Sequence, residues 1–323
     1  PELEFVLSHG ERGRQPKTAY TIFRQSGYAV FRSDWSQTPA NAAYLFFAAG
    51  FHSRTHKQAD DFTFEWADHG CELVIDSGKF RYDKKSPHRQ YAMSTRAHNT
   101  VEIDGRDYSR YRLDAFGSAI AAGGMGDGAY FVEAQVDRKR FFQTQHRRVL
   151  VFQPGRWLAV IDQLSSPNPH TYTQWFHLAP DLAVQRQGRE FIAALPDGDN
   201  VLRILPLKSS GGLETSLVRG QTEPRLQGWT SLNYGELTPN HAVSYTTRGR
   251  EAAFVTLLWL GDRRDQLLPA HAHFDEDSAA IHVRWQLNGR DEGFDYSRNG
   301  QETKLTLLKS LPLAQGDPDS VAR

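Results

Sequence analysis

The run "RRVLVFQPGRWLAVIDQL" (147–164) limits most strongly what this chain can become. Two apolar stretches rich in β-branched and aromatic residues flank Pro154-Gly155, a dipeptide that turns the chain. Each stretch is too short for a buried helix, so the run predicts a hairpin with both strands largely buried. Similar segments recur along the chain, among them "GYAVFRS" (27–33), "AAYLFFAAG" (42–50), "DFTFEWAD" (61–68), "CELVIDSG" (71–78), "AYFVEAQVD" (129–137), "YTQWFHLAP" (172–180) and "AAFVTLLWLG" (252–261). No long stretch carries the apolar stripe of an amphipathic helix. The pattern predicts an all-β fold, a large antiparallel double-sheet sandwich (a supersandwich) over residues 1–250. The strands of 251–312 are expected to continue it or to form a smaller C-terminal sheet, with a boundary near "YTTRGREA" (245–252). Residues 313–323 read as a flexible tail, and the glycine-rich "AAGGMGDGAY" (121–130) as a flexible loop.

Charge and cysteine content narrow the function. Lys plus Arg and Asp plus Glu both number 38, and the signs are interspersed. A nucleic-acid binder needs clustered basic residues, and none are present here. The single cysteine, Cys71, permits neither an intrachain disulfide nor a cysteine-based zinc cluster. No segment approaches the ~20 apolar residues that span a bilayer. The N-terminus has neither an initiating methionine nor an apolar signal core, and reads as a cut end within a longer protein. Aromatic residues make up 12% of the chain, which suits strands and also suits stacking on sugar rings.

The chemistry concentrates in the first third. "GFHSRTHKQADDFTFEWADHGCELVIDSG" (50–78) contains His52, His56 and His69 with Gln58, Asp60, Asp61 and Asp76, and "STRAHNTVEIDG" follows with His98 and Asn99. Adjacent antiparallel strands place side chains ~5 Å apart, so the 56–58 region, Asp76 and His98 can converge. One Asp with two His is a zinc-type donor set. Equally, such residues serve as hydrogen-bonded structural groups and turn caps, and the pattern leaves both readings open.

Several of these motifs occur in a fixed order: His56-Lys57-Gln58-Ala59-Asp60, Asp76-Ser77-Gly78, Arg89-Gln90-Tyr91 and Ala97-His98-Asn99-Thr100-Val101. In that order they resemble the heparinase II/III-like polysaccharide lyases, in the C-terminal β-sandwich portion that follows an N-terminal helical toroid. The resemblance runs from about residue 25 to 250, and later strands, "QTQHRRVLVF", "VIDQL" and "QWFHLAPD", share it. It implies cleavage of a uronic-acid-containing polysaccharide by β-elimination, with the substrate between sandwich and toroid. It assigns His56 as the catalytic histidine and places the catalytic tyrosine and charge neutraliser in the helical domain. It also implies metal ligands at Gln58, Asp76 and His98. Glutamine stands where the family pattern has histidine, and a carboxamide is a far weaker zinc ligand than imidazole. Three outcomes follow: a lost zinc whose place Gln58 takes by hydrogen-bonding Asp76 and His98, a substitute ligand in His52 or His69, or a harder cation such as Ca²⁺.

Arg89, Tyr91 and Asn99 are candidate substrate contacts, Arg89 through bidentate bonds to a carboxylate. Trp35 and Trp229 are candidate stacking rings, and His177 a packed core histidine. Two functions stand: the β-sandwich of a lyase acting on an acidic polysaccharide, inactive without its helical domain, or a non-catalytic carbohydrate-binding or scaffolding domain of an exopolysaccharide system. Either substrate class implies a periplasmic or extracellular location.

Overall fold

The computed structural model describes residues 2–36, 42–53, 55–108, 116–138, 142–209, 212–275 and 280–308. The tail expected at 313–323 lies outside them. Nearly all described secondary structure is antiparallel strand. Among the described residues, helix is limited to α1 (Glu2–Leu7), α2 (Pro87–Ala92) and a 3-10 turn at Thr95–Ala97.

Three layers stack. The first is a five-stranded sheet in chain order: β1 (Tyr20–Phe23), β2 (Tyr28–Arg32), β3 (Tyr44–Ala48), β4 (Phe64–Asp68) and β5 (Cys71–Val74). The second, of ten strands, contains β6 (Val101–Ile103), β7 (Ile120–Gly126), β8 (Ala129–Arg138), β9 (Thr144–Gln153), β10 (Trp157–His177), β11 (Ala183–Gln187), β12 (Glu190–Ala194), β13 (Asn200–Ser209), β14 (Glu214–Arg219) and β15 (His241–Asp262). Its main path runs β11-β12-β13-β15-β10-β9-β8-β7, with β14 on β15 and β6 on β10. The third is a four-stranded meander: β16 (Leu267–Asp275), β17 (Ala280–Leu287), β18 (Arg290–Asn299) and β19 (Glu302–Leu307).

The middle sheet explains why its strands read as continuous apolar runs. Side chains alternate across a strand, and here both faces are covered. Leu150, Phe152, Leu158 and Val160 pack toward the first sheet with Phe47, Phe64 and Trp66. Val149, Val151, Trp157 and Ile161 pack toward the third with Val283, Trp285 and Phe294. Trp157 lies 5.2 Å from Trp285 and 5.6 Å from Phe294, centroid to centroid. The predicted hairpin is present: Gln153 pairs with Trp157 around a three-residue loop in which Gly155 takes φ +75°.

Two expectations change. The glycine-rich 121–130 stretch forms a hairpin of β7 and β8, turned by Asp127 (φ 49°) and Gly128 (φ 82°). Its glycines answer to close packing, since a Cβ at Gly126 would lie 2.3 Å from the Leu305 carbonyl oxygen. The boundary expected near residue 250 falls within β15, which pairs with β10 on both sides of Gly249. The smaller sheet begins instead at Leu267.

Candidate functional site

At the end of β5 the chain passes through Asp76, and the loop after the 3-10 turn delivers His98 and Asn99 beside it. Asp76 accepts from His98 Nδ1 at 2.7 Å, Thr63 Oγ1 at 3.2 Å and the Gly78 amide at 3.0 Å. Burial alone would push both groups toward neutrality. The opposite charge and hydrogen bond outweigh it, so the Asp76 carboxyl is held below its usual range and the His98 imidazole above its own.

Asn99 is fully buried and knots three elements together. Its Nδ2 donates to the carbonyls of Phe64 and Ile75, each at 2.8 Å, and its Oδ1 accepts the His177 amide at 2.7 Å. The candidate substrate contact is therefore corrected to an internal tie. His177 Nδ1 also faces Asn99 Oδ1 at 3.2 Å, and His177 Nε2 faces Gln227 Nε2 at 3.2 Å. Those partners fit a neutral ring that donates through Nδ1 and accepts through Nε2. Burial lowers the His177 pKa to about 4. A histidine with a depressed folded pKa is charged in the unfolded chain first, so stability is lost as pH falls from about 6.5 toward 4. The expected cost over that window is about 3 kcal/mol. Unfolding free energies from urea denaturation at pH 7 and pH 4 should converge by roughly that amount in His177→Gln relative to wild type, and equal pH dependence in both proteins would refute the assignment.

Arg89 and Tyr91 are likewise turned inward by α2, with exposures of 5% and 1%. Arg89 Nη1 donates to the Lys79 carbonyl at 2.6 Å, and the Tyr91 hydroxyl accepts the Gly228 amide at 3.2 Å. They fasten loops and do not present donors to a polymer. The two candidate tryptophans are engaged as well: Arg32 stacks on Trp35 at 3.5 Å, and Trp229 Nε1 donates to the Gln221 carbonyl at 2.9 Å.

His56 remains outward. It is exposed, sits at φ 66°, and its ring lies 5.8 Å from that of Tyr82. A left-handed conformation at a non-glycine residue is held only where surrounding structure enforces it, and such residues gather at functional sites. The next residue, Lys57, is anchored: its ammonium, 12% exposed, bridges Asp60 and Asp61, and Arg138 holds Asp61 at 3.0 Å. Despite burial, Lys57 and Arg138 lower the Asp61 pKa to about 2.

The position where the resemblance implies a metal has two buried atoms without hydrogen-bond partners, Gln58 Oε1 and His98 Nε2. The Gln58 oxygen thus does not make the bond to Asp76 or His98 considered from sequence. His52 bonds the Ser26 carbonyl through Nε2, and His69 bonds Asp68 through Nδ1. Among the described residues no three His, Cys, Asp or Glu side chains gather as a metal cluster requires. One carboxylate, one imidazole bonded to it and one carboxamide do not fit Zn²⁺. Gln58→His restores a nitrogen donor at that position. Elemental analysis should find about one zinc per chain in the variant and none in the natural protein, and zinc in both would overturn the mismatch.

Sequence reasoning passed over Lys79, Tyr82 and Tyr234. "GKFRY" (78–82) directly follows the Asp76 motif and could have drawn attention. Tyr234 could not, because it reaches Tyr82 from a distant loop, with ring centroids 6.2 Å apart.

Comparison with known proteins agrees with this architecture. Residues 15–285 match the family model described as heparinase II/III-like, C-terminal. The fold is similar to that of the BT4657 gene product, a heparinase III (TM-score 0.76, 18% identity), over 92% of this chain and 45% of that one. It is also similar to a mutant of the heparan sulfate lyase HepC from Pedobacter heparinus (TM-score 0.74, 16% identity), over 97% of this chain and 45% of that one. A further heparinase III superposes with a TM-score of 0.71 at 17% identity, over 88% of this chain and 44% of that one. The chain thus spans less than half the length of these solved relatives. No curated protein matches it. With the ordered motifs folded around Asp76, His98 and Asn99, and the family match running across the first two layers into the third, this chain belongs to the heparinase II/III-like family, in its C-terminal region.

Proposed function

We propose that this chain is the β-sandwich part of a lyase that cleaves an acidic, uronic-acid-containing polysaccharide by β-elimination, with His56 removing the proton at C5 of the uronate. The observation that carries this reading is His56 itself: an exposed imidazole on a left-handed backbone, against an exposed tyrosine, in the motif order of the family. An imidazole open to solvent has a ring nitrogen within reach of a bound polymer and can accept a proton from it. The C5 proton becomes acidic only when the uronate charge is offset and the enolate-like intermediate is stabilised, so a cationic or hydrogen-bonding group must meet the carboxylate. The proton donor for the departing glycosidic oxygen belongs to the opposite wall of the cleft, which we assign to an N-terminal helical domain. An acidic polymer of this kind as substrate favours a location in the periplasm or outside the cell.

The test uses the full-length protein with a panel of uronate polymers, following ultraviolet absorbance of the unsaturated product. The 323-residue chain alone is expected to give no turnover. If full-length protein produces no unsaturated ends on any polymer while still binding one, the lyase reading fails. The second reading, a non-catalytic carbohydrate-binding or scaffolding domain, then takes its place. The exposed Tyr82–Tyr234 pair and the changed ligand position at Gln58 favour that alternative.

A further inference from the structure

The segment after Asp76 is tied down along its backbone and yet leaves two aromatic rings in water. Gly78 forms a parallel bridge with Ser231, and a Cβ at Gly78 (φ +69°) would lie 2.6 Å from the Ser231 carbonyl oxygen. The Ser231 amide donates to the Ser77 carbonyl at 3.0 Å, and the Gly235 amide to the Phe80 carbonyl at 2.9 Å. Arg81 Nη2 reaches the Gly235 carbonyl at 3.2 Å, across 154 positions in sequence. Phe80 takes φ 63° and buries its ring, 5.5 Å from His88. Loops 77–82 and 231–235 are thereby closed against each other.

What this closed pair presents is specific. Tyr82 is 54% and Tyr234 65% exposed. Lys79 Nζ lies 2.9 Å from the Tyr82 hydroxyl, and 4.2 Å and 5.9 Å from the Tyr82 and Tyr234 ring centroids. Among the described residues no carboxylate pairs with Lys79. Two exposed rings with one ammonium over the first, beside its hydroxyl, call for a ligand with an apolar face and a single anionic group next to it. A pyranose offers C–H groups on one face, and a uronic acid adds a carboxylate at the ring edge. A neutral sugar leaves the ammonium unused. Balanced, dispersed charge over the rest of the chain argues against a nucleic acid.

We propose that Tyr82, Tyr234 and Lys79 form a subsite for one uronic-acid residue, its ring face on the tyrosines and its carboxylate at Lys79, next to His56. The inference rests on the acidic-polysaccharide reading for the ligand's identity and needs no elimination chemistry. The experiment is titration of the full-length protein, carrying His56→Ala so that no polymer is cleaved, with glucuronate and mannuronate tetramers, a glucose tetramer and a thymidine tetramer, followed by calorimetry. At least one uronate tetramer should bind about tenfold more tightly than the glucose tetramer. Tyr234→Ala and Lys79→Met should each weaken uronate binding about tenfold. Tyr82→Phe, which keeps the ring, should retain the stacking contribution, and Tyr28→Ala, on the outer face of the first sheet, should change nothing. Because these side chains are exposed, the variants should melt at the wild-type temperature. Absence of uronate binding, binding unaltered by Tyr234→Ala and Lys79→Met, or equal affinity for glucose or thymidine tetramers would each overturn the proposal. Loss of elimination in the full-length protein with this binding intact would instead count against the lyase reading alone.

Discussion

Asp162→Ala is expected to destabilise the chain by about 3–5 kcal/mol, enough to unfold much of it near physiological temperature. Asp162 and Arg148 are both fully buried, on β10 and β9, and meet through two parallel hydrogen bonds of 2.8 Å and 2.7 Å. His146 Nε2 and Gln174 Nε2 donate to the same carboxylate at 2.7 Å and 2.8 Å, and Thr256 completes the network by donating to Gln174 at 2.7 Å. Together the surrounding donors hold Asp162 ionised against the cost of burial. Removing the carboxylate leaves a guanidinium in the core without a counter-charge. Replacing both partners, as in Arg148→Met with Asp162→Leu, removes that charge and should recover part of the loss. Recovery will be incomplete for a geometric reason. Arg148 Nη1 also donates to the carbonyls of Phe62 and Asn99 at 2.8 Å and 2.6 Å, and both would be left without a partner. Urea denaturation of wild type, single and double variants measures this, and an Asp162→Ala midpoint within about 1 kcal/mol of wild type would refute it.

His56→Ala should lower turnover of the full-length protein by about 10²–10⁴ with its thermal midpoint unchanged. The imidazole is exposed and its removal leaves no cavity. Tetramer binding at the tyrosine subsite should persist, because both tyrosine rings and the Lys79 ammonium remain when the edge contact of His56 with Tyr82 is removed. Lys57→Met provides the complementary case. It removes the bridge to Asp60 and Asp61 and frees the backbone that presents His56, so activity should fall while the imidazole is still present. Retention of more than half the wild-type rate in His56→Ala would remove the histidine from the mechanism.

These expectations draw unequally on what could be read from the chain alone. The strand-rich, helix-poor pattern carried the fold class because period-two alternation and Pro154-Gly155 are local signals. Three-layer stacking was hidden, since a strand buried on both faces and a strand at a sandwich core give the same apolar run. Asp76, His98 and Asn99 were legible as an ordered set, and the structure brings them together. Their roles were less so. Arg89, Tyr91 and Asn99 look like polar contacts in sequence, but burial turns all three into internal ties, and their partners lie far along the chain, as Gly228 does for Tyr91 and His177 for Asn99. The Lys79–Tyr82–Tyr234 patch depends on a parallel bridge between residues 78 and 231, a pairing that no periodicity announces.

The two longest strands also set the mechanics of the molecule. β10 and β15, of 21 and 22 residues, run side by side from the region clamped by the third sheet to the loops around His177 and His241. At ~3.3 Å per residue each approaches 70 Å, a pair of beams cross-linked along most of their length. Bending such beams would break many ladder bonds at once, so the floor beneath Asn99 and His177 behaves as an anvil. Any closing motion around a bound polymer must then come from the surface that faces it.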